Sequence, residues 1–198
     1  MIKLKNTKTV AINDYLYEVD FPYVSKMQSH KDVIVKQHYK DIEEANGHGF
    51  LNTKYHHKGL LKNLKKVFYQ ILHHHFVLSP PLKEFEINSY IQTKDKFASV
   101  WHNHIHASSL AATFYLEIPK EGGEIEFCDH RYGGNTILKP KLNKLYIFPS
   151  WMYHRPLPHY DEGITRICIN LDYSCLERPK PKLFISDLNH KFKEDFYW

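Results

Sequence analysis

Two periodicities divide the chain. Over residues 60–77 the apolar side chains Leu60, Leu61, Leu64, Val67, Phe68, Ile71 and Leu72 recur at three- and four-residue intervals, the spacing of a helix with one buried face. Ser79-Pro80-Pro81 ends it, because proline has no backbone N–H to continue the ladder. From residue 84 the interval falls to two. Glu84-Phe85-Glu86-Ile87-Asn88-Ser89-Tyr90-Ile91 alternates, as a half-buried strand does. Further strands are expected over 97–104, 110–118, 124–128, 136–139, 144–148 and 164–172, with a turn at Gly122-Gly123. The unbroken apolar run in 110–118 predicts burial on both faces. Short strands separated by turn formers predict a β-sandwich or barrel.

The flanks read differently. A first strand and turn are expected over 8–16, and Asp20-Phe21-Pro22 opens a helix expected over 23–32. Residues 43–59, with Asn46-Gly47-His48-Gly49, read as a loop. After Leu176, Arg178-Pro179-Lys180-Pro181-Lys182 excludes regular structure, and the aromatic residues of 184–198 suggest a segment that docks. With 198 residues the expected organisation is one domain: supporting strands and helices in 1–83, a β core in 84–175 and a C-terminal extension in 176–198. No internal repeat, phosphate-binding glycine loop, Gly-x-Ser-x-Gly elbow or His-Glu-x-x-His helix is visible.

Composition narrows the class. An apolar share of 42% with 25% charged residues is globular, and a chain of this length buries roughly 70% of its unfolded surface without needing staples. No run approaches the 18 or so apolar residues of a membrane helix, and residues 1–14 lack the apolar core of a secretory leader. Three scattered cysteines, Cys128, Cys168 and Cys175, make neither a disulfide framework nor a thiolate zinc site. A reduced, cytoplasmic protein without membrane association is therefore expected. The net charge of +5 tolerates an anionic partner without demanding one. Histidine is the outlier, at 15. His73, His74 and His75 point in three directions around a helix and form no compact site, and His56 and His57 read as loop residues.

The chemistry lies in Trp101-His102-Asn103-His104-Ile105-His106. On a strand, residues two apart share a face, about 7 Å from one another and about 13 Å for four apart. One metal ion can take neighbouring imidazoles of this set but not His102 with His106. The pair is thus His102/His104 or His104/His106. His154, in Phe148-Pro149-Ser150-Trp151-Met152-Tyr153-His154-Arg155-Pro156, is the candidate third ligand. Twelve residues on, Arg166 interrupts an apolar strand. A buried guanidinium needs a carboxylate or its equivalent. A bound acid would serve; Asp172 and Glu126 are the protein alternatives.

This order of elements resembles the Fe(II)/2-oxoglutarate-dependent dioxygenases, most of all the short phage and bacterial branch related to prolyl hydroxylases. The resemblance spans about residues 84–173. It rests on Trp101-His102-Asn103-His104, Phe114-Tyr115-Leu116, Gly122-Gly123-Glu124-Ile125-Glu126-Phe127, the run Leu145-Tyr146-Ile147-Phe148-Pro149-Ser150-Trp151 leading to His154, and Arg166-Ile167-Cys168-Ile169-Asn170. It implies a mainly β fold with supporting helices: a double-stranded β-helix, or cupin-like jelly roll. It implies Fe(II) on His102, His104 and His154, a register chosen because the aromatic-His-x-His pattern matches there. It also implies O₂ and 2-oxoglutarate as co-substrates, with Arg166 on the far carboxylate of 2-oxoglutarate and Tyr90 as a further polar contact. The implied reaction couples oxidation of 2-oxoglutarate to succinate and CO₂ with hydroxylation of a C–H bond. Arg131, Tyr132, Trp151 and Tyr153 flank the implied barrel mouth as substrate-facing candidates. The substrate itself is not specified, with a slight preference for a peptide side chain or small molecule.

Two departures stand out. The family's usual His-x-Asp is His-x-His here, which brings no negative charge to the metal and equally suits zinc or copper. The usual Arg-x-Ser is Arg166-Ile167-Cys168. A cupin-like metalloenzyme that does not use 2-oxoglutarate is the first alternative, although the Glu that cupins carry after His-x-His is missing: Ser108 and Leu110 stand at the two corresponding places. The second alternative is a nucleic-acid-directed oxygenase or binding module, using Lys58, Lys62, Lys65 and Lys66 as a basic stripe. Such a run also makes an ordinary solvated helix face.

Overall fold

The computed structural model describes residues 9–11, 16–21, 24–44, 52–53, 58–77, 86–94, 99–106, 108–129, 134–175 and 180–181. The elements in chain order are β1 (Thr9–Ala11), β2 (Tyr17–Asp20), α1 (Val24–Glu44), β3 (Asn52–Thr53), α2 (Lys58–His75), β4 (Phe76–Val77), β5 (Glu86–Thr93), β6 (Leu110–Glu117), β7 (Ile125–Asp129), β8 (Gly134–Leu138), β9 (Lys144–Pro149), β10 (Tyr153–Pro156), β11 (Ile164–Tyr173) and β12 (Lys180–Pro181). A large antiparallel sheet has the order β1-β2-β9-β6-β11-β5-β3. A small one has the order β10-β7-β8.

The two-residue period sorts the side chains of the large sheet. Ala112, Phe114 and Leu116 of β6, Leu145 and Ile147 of β9, and Ile167, Ile169 and Leu171 of β11 join Ile34 of α1 and Val67, Phe68, Ile71 and Leu72 of α2 in one apolar core. Their alternates face the small sheet. Ala111, Tyr115, Tyr146, Phe148 and Cys168 pack with Ile125 and Phe127 of β7. The helices therefore back one face of the large sheet and the small sheet covers the other. Residues 110–116 are buried throughout, as their apolar run predicts. A buried Phe or Leu contributes about 1.5–3 kcal/mol relative to exposure, so the helical backing is what holds the large sheet in place. This is the double-stranded β-helix.

Several expectations are corrected. The helix expected at 23–32 runs on to Glu44, because no Gly or Pro interrupts it and Ile34 and His38 bury one face at an i, i+4 interval. The expected 43–59 loop consequently loses residues to α1. It also contains Asn52–Thr53, paired with β5 opposite Tyr90 and Ser89, and it ends where α2 begins at Lys58. Lys180–Pro181, expected to be irregular, pairs with Phe76–Val77; a proline is tolerated at such an edge. That pairing also ends the 60–77 helix two residues early. Residues 99–104 do not form a strand but a single bridge between His102 and His154. Tyr153–Pro156, unforeseen, is a strand of the small sheet. The expected 8–16 strand lies partly outside the described residues, and the 184–198 segment wholly so. No helix among the described residues is long and apolar enough to cross a membrane, and all three cysteines are free thiols.

The Gly122-Gly123 turn locks the entry to β7 against the loop after β10. Both glycines have positive φ, 71° and 73°, and Gly123 N–H donates to the Pro158 carbonyl at 2.7 Å. A Cβ on Gly122 would sit 2.4 Å from the Pro158 oxygen, whereas one on Gly163, also at positive φ, would meet open space. Both Ala substitutions carry the left-handed penalty of about 1–2 kcal/mol, but only Gly122→Ala adds a backbone overlap. Urea denaturation should show Gly122→Ala as the larger loss; equal losses would mean that the Pro158 loop yields freely.

Candidate metal centre

His154 is delivered by a tight reversal. β9 ends at Pro149, Met152 N–H donates back to the Pro149 carbonyl at 3.1 Å, and β10 then carries the His154 ring between the sheets, where it is 3% exposed. Phe148 and Phe127 pack on it at centroid distances of 4.7 and 5.8 Å. The His102–His104 stretch is stitched to the same reversal by backbone bonds. His102 N–H donates to His154 O at 3.1 Å, His154 N–H to His102 O at 2.9 Å, and His104 N–H to Ser150 O at 2.8 Å. This explains why no strand forms here: the polar backbone groups of 102–104 are already satisfied by the 150–154 reversal.

The three rings consequently converge. Their centroids are 5.5 Å (His102–His104), 4.3 Å (His102–His154) and 5.1 Å (His104–His154) apart, and one ligand nitrogen from each lies within 4.8 Å of the others. Each Nδ1 has an oxygen acceptor: the Val100 carbonyl for His102 at 2.9 Å, the Met152 carbonyl for His154 at 3.0 Å, and Asp172 Oδ1 for His104 at 2.7 Å. A carbonyl only accepts, so Nδ1 of His102 and His154 carries the proton and Nε2 keeps its lone pair. Burial, then the neighbouring His102 ring, pushes His154 down to about 3, which keeps it neutral and fit to ligate. Neutral imidazole suits iron, zinc and copper and disfavours magnesium or calcium. His106 lies exposed in the turn after His104, away from the cluster.

The same cavity, of about 160 Å³, runs between the sheets from these rings to Arg166. Arg166 follows a register shift in β11, stands opposite Gln92 of β5, and is 2% exposed. Its Nη2 donates to Tyr115 Oη at 3.2 Å and its Nη1 to the Leu157 carbonyl at 3.4 Å. No carboxylate among the described residues lies within ion-pair distance of it. The two protein alternatives are excluded: Glu126 accepts from Arg155 Nε at 2.8 Å and from Asn135 at 2.7 Å, and Asp172 is engaged with His104. An unpaired buried guanidinium is costly by several kcal/mol. Gln92 Oε1 and Asn170 Oδ1 are also buried without a hydrogen-bond partner, and both residues line this cavity. Buried polar groups are nearly always satisfied, so the guanidinium fits an anionic group, while the two amide oxygens call for hydrogen-bond donors such as a hydroxyl or water.

Tyr90 lines the cavity opposite Cys168. Burial, with smaller contributions from Cys168 and Asp172, pushes its hydroxyl up to about 12, so it remains a donor. Burial likewise raises the Cys168 thiol, with Arg166 opposing; the thiol stays protonated where the resembled pattern has a serine. Trp151 is half-buried against the inter-sheet core and Tyr153 is 38% exposed at the start of β10; neither lines the cavity. Arg131 and Tyr132 lie outside the described residues. Tyr115, Gln92, Asn170 and the Asp172–His104 bond were not singled out from the sequence as site features. Their signal is the polar alternate face of β11 and its neighbours, where Arg166, Cys168, Asn170 and Asp172 occupy every second position.

No protein-family model matches the chain, and no curated protein does. Solved structures do. A viral collagen prolyl hydroxylase from Paramecium Bursaria Chlorella virus-1, determined with 2OG, superposes with a TM-score of 0.51 and 14% identity, over 85% of this chain and 99% of that one. A prolyl 4-hydroxylase from Phytophthora capsici gives 0.53 and 14%, over 81% of this chain. The chain spans 59% of the length of the Phytophthora protein and 63% of that of a Pseudomonas putida prolyl-4-hydroxylase. At these identities the likeness is one of fold: the double-stranded β-helix seen in 2-oxoglutarate Fe(II) oxygenases.

The convergence of rings yields a metal prediction. The purified chain should take up one divalent transition-metal ion, measured by elemental analysis after desalting. His104→Ala and His154→Ala should each lose it and His106→Ala should retain it. Retention in the first two variants would show that the rings form only a packed cluster.

Proposed function

We propose that this chain is an Fe(II)- and 2-oxoglutarate-dependent oxygenase that hydroxylates a C–H bond, with a peptide or protein side chain as the favoured substrate. The observation that carries this reading is one cavity with three convergent imidazoles and, between the same sheets, a buried Arg166 with no carboxylate partner among the described residues. His102, His104 and His154 would hold the metal. When bound, iron with 2-oxoglutarate and O₂ would supply the oxidising power, one oxygen atom ending in succinate, with loss of CO₂, and the other in the hydroxylated substrate.

The chain's own residues bind, orient and exclude water. Arg166 offers a planar fork suited to a terminal carboxylate, and the Tyr115 hydroxyl braces that fork. Tyr90 lines the same cavity and would be a further polar contact there. Ile125 and Phe148 give it apolar walls, and low local polarity strengthens each charged contact inside. Tyr153, next to His154 and exposed, is the first choice for a substrate contact; Trp151, Arg131 and Tyr132 are further candidates from the sequence, the last two outside the described residues. The peptide preference draws support from the prolyl hydroxylases that share the fold.

A second reading has its own observation: the metal set lacks a carboxylate. That favours a three-imidazole metalloenzyme that does without 2-oxoglutarate, and it leaves Arg166 without an anion.

Arg166 separates the two. Removing one partner of a buried charge pair costs about 3–5 kcal/mol, so Arg166→Ala should weaken 2-oxoglutarate binding by about 10²- to 10³-fold or more with metal content nearly unchanged. Arg166→Lys, which keeps the charge and loses the fork, should fall between. Succinate formation against 2-oxoglutarate concentration, with metal measured in parallel, is the assay. An unaltered 2-oxoglutarate dependence in Arg166→Ala would favour the second reading.

A further inference from the structure

Among the described residues, His104 alone of the three imidazoles bonds to a carboxylate. His102 and His154 give their Nδ1 protons to backbone carbonyls. The partner of His104 is Asp172 Oδ1 at 2.7 Å, the length of a charge-assisted bond. Asp172 is 5% exposed, and Ser108 Oγ donates to the same oxygen at 2.8 Å. Ser108 N–H in turn donates to the His104 carbonyl at 2.9 Å. Ser108, His104 and Asp172 thus form a closed unit that ties the turn after His104 to the polar face of β11.

Three imidazole ligands bring no negative charge to a divalent ion. A carboxylate bonded behind a ligating histidine fixes its tautomer and raises the basicity of the far nitrogen. We propose that Asp172 is a positioning residue of the metal centre: acting through His104, it aims that ring and lends the site the negative charge that none of its three ligands carries. Ser108 holds the carboxylate in place for that task. The inference rests on the reading of the cluster as a metal centre.

The test is anaerobic titration of the full chain with Fe(II), and with Co(II) followed by its absorption bands. Asp172→Asn keeps the shape and removes the charge, and it should weaken metal binding about 10- to 100-fold and shift the Co(II) bands. Ser108→Ala should weaken it less. In a His104→Asp background the carboxylate belongs to the ligand itself, and Asp172 would then face a second acid. There Asp172→Asn should no longer weaken the site and should instead strengthen it. A merely structural Asp172 would weaken metal binding in both backgrounds, which would overturn the proposal. Should Asp172→Asn fail to fold, proton and nitrogen NMR of the Zn(II)-loaded wild type decides. The His104 Nδ1 proton should lie downfield of those of His102 and His154; coincident shifts would overturn the proposal. Wild type that takes up no metal would remove the metal-centre reading itself. Wild type and Asp172→Asn with equal affinity would remove this inference alone.

Discussion

The architecture depends on one strand meeting two solvents at once. β11 lies inside the large sheet, hydrogen-bonded to β5 along one edge and to β6 along the other. It has no free edge through which to relax, so each side chain is committed to a face. Ile167, Ile169, Leu171 and Tyr173 enter the helix-backed core. Arg166, Cys168 and Asn170 line the cavity, and Asp172 reaches the His104 ring. A one-residue slip would exchange these sets, placing charge against α1 and α2. The apolar face thereby specifies the position of the polar one, and the register of β11 is also the register of the site.

That arrangement separates charge along the strand. A fixed cation lies toward one end and a carboxylate toward the other, six residues or about 20 Å of extended chain apart. Because sheets and side chains screen them poorly, each end needs its own counterpart. Asp172 has His104 and Ser108. Arg166 has a phenol and a carbonyl, both neutral. Of the two, only the Arg166 end opens on the cavity. At the other end an imidazole and a hydroxyl both bond to one carboxylate oxygen of Asp172. The register shift beside Arg166 is a local irregularity of the kind that re-aims a side chain near a functional cavity.

Much of this was legible in the primary structure, for identifiable reasons. The strands β5, β6, β7, β9 and β11 carry strict alternation or a doubly buried run, so their period survives any tertiary context. α2 was readable because its apolar stripe is dense. α1 was foreseen only in part: its second half is polar, and its continuation follows from the absence of breakers. The convergence of His104, His154 and Arg166 on one cavity follows from spacing and from the rarity of a charge in an apolar strand. The choice between His102 and His106 did not follow from alternation, because that rule presumes a strand. The segment instead bonds to the 150–154 reversal, a long-range partnership that no local pattern encodes. The Asp172–His104 bond is hidden for a similar reason: the sequence offers Asp172 as a partner for Arg166 on its own strand, whereas its partner is 68 residues away.

The isolated bridge between His102 and His154 has a thermodynamic consequence. Residues 99–104 belong to neither sheet and are fastened to the sandwich by a few backbone bonds. An ion held by all three rings would close a loop between this segment and β10, and it would bind the folded chain far more tightly than the unfolded one. Occupancy and cohesion would then be a single linked equilibrium. At a free metal concentration 100 times its dissociation constant the folded state gains about 2.7 kcal/mol. Depletion of that ion would loosen first the segment that walls the cavity mouth, so the protein's resistance to heat and protease would report the metal supply of its surroundings.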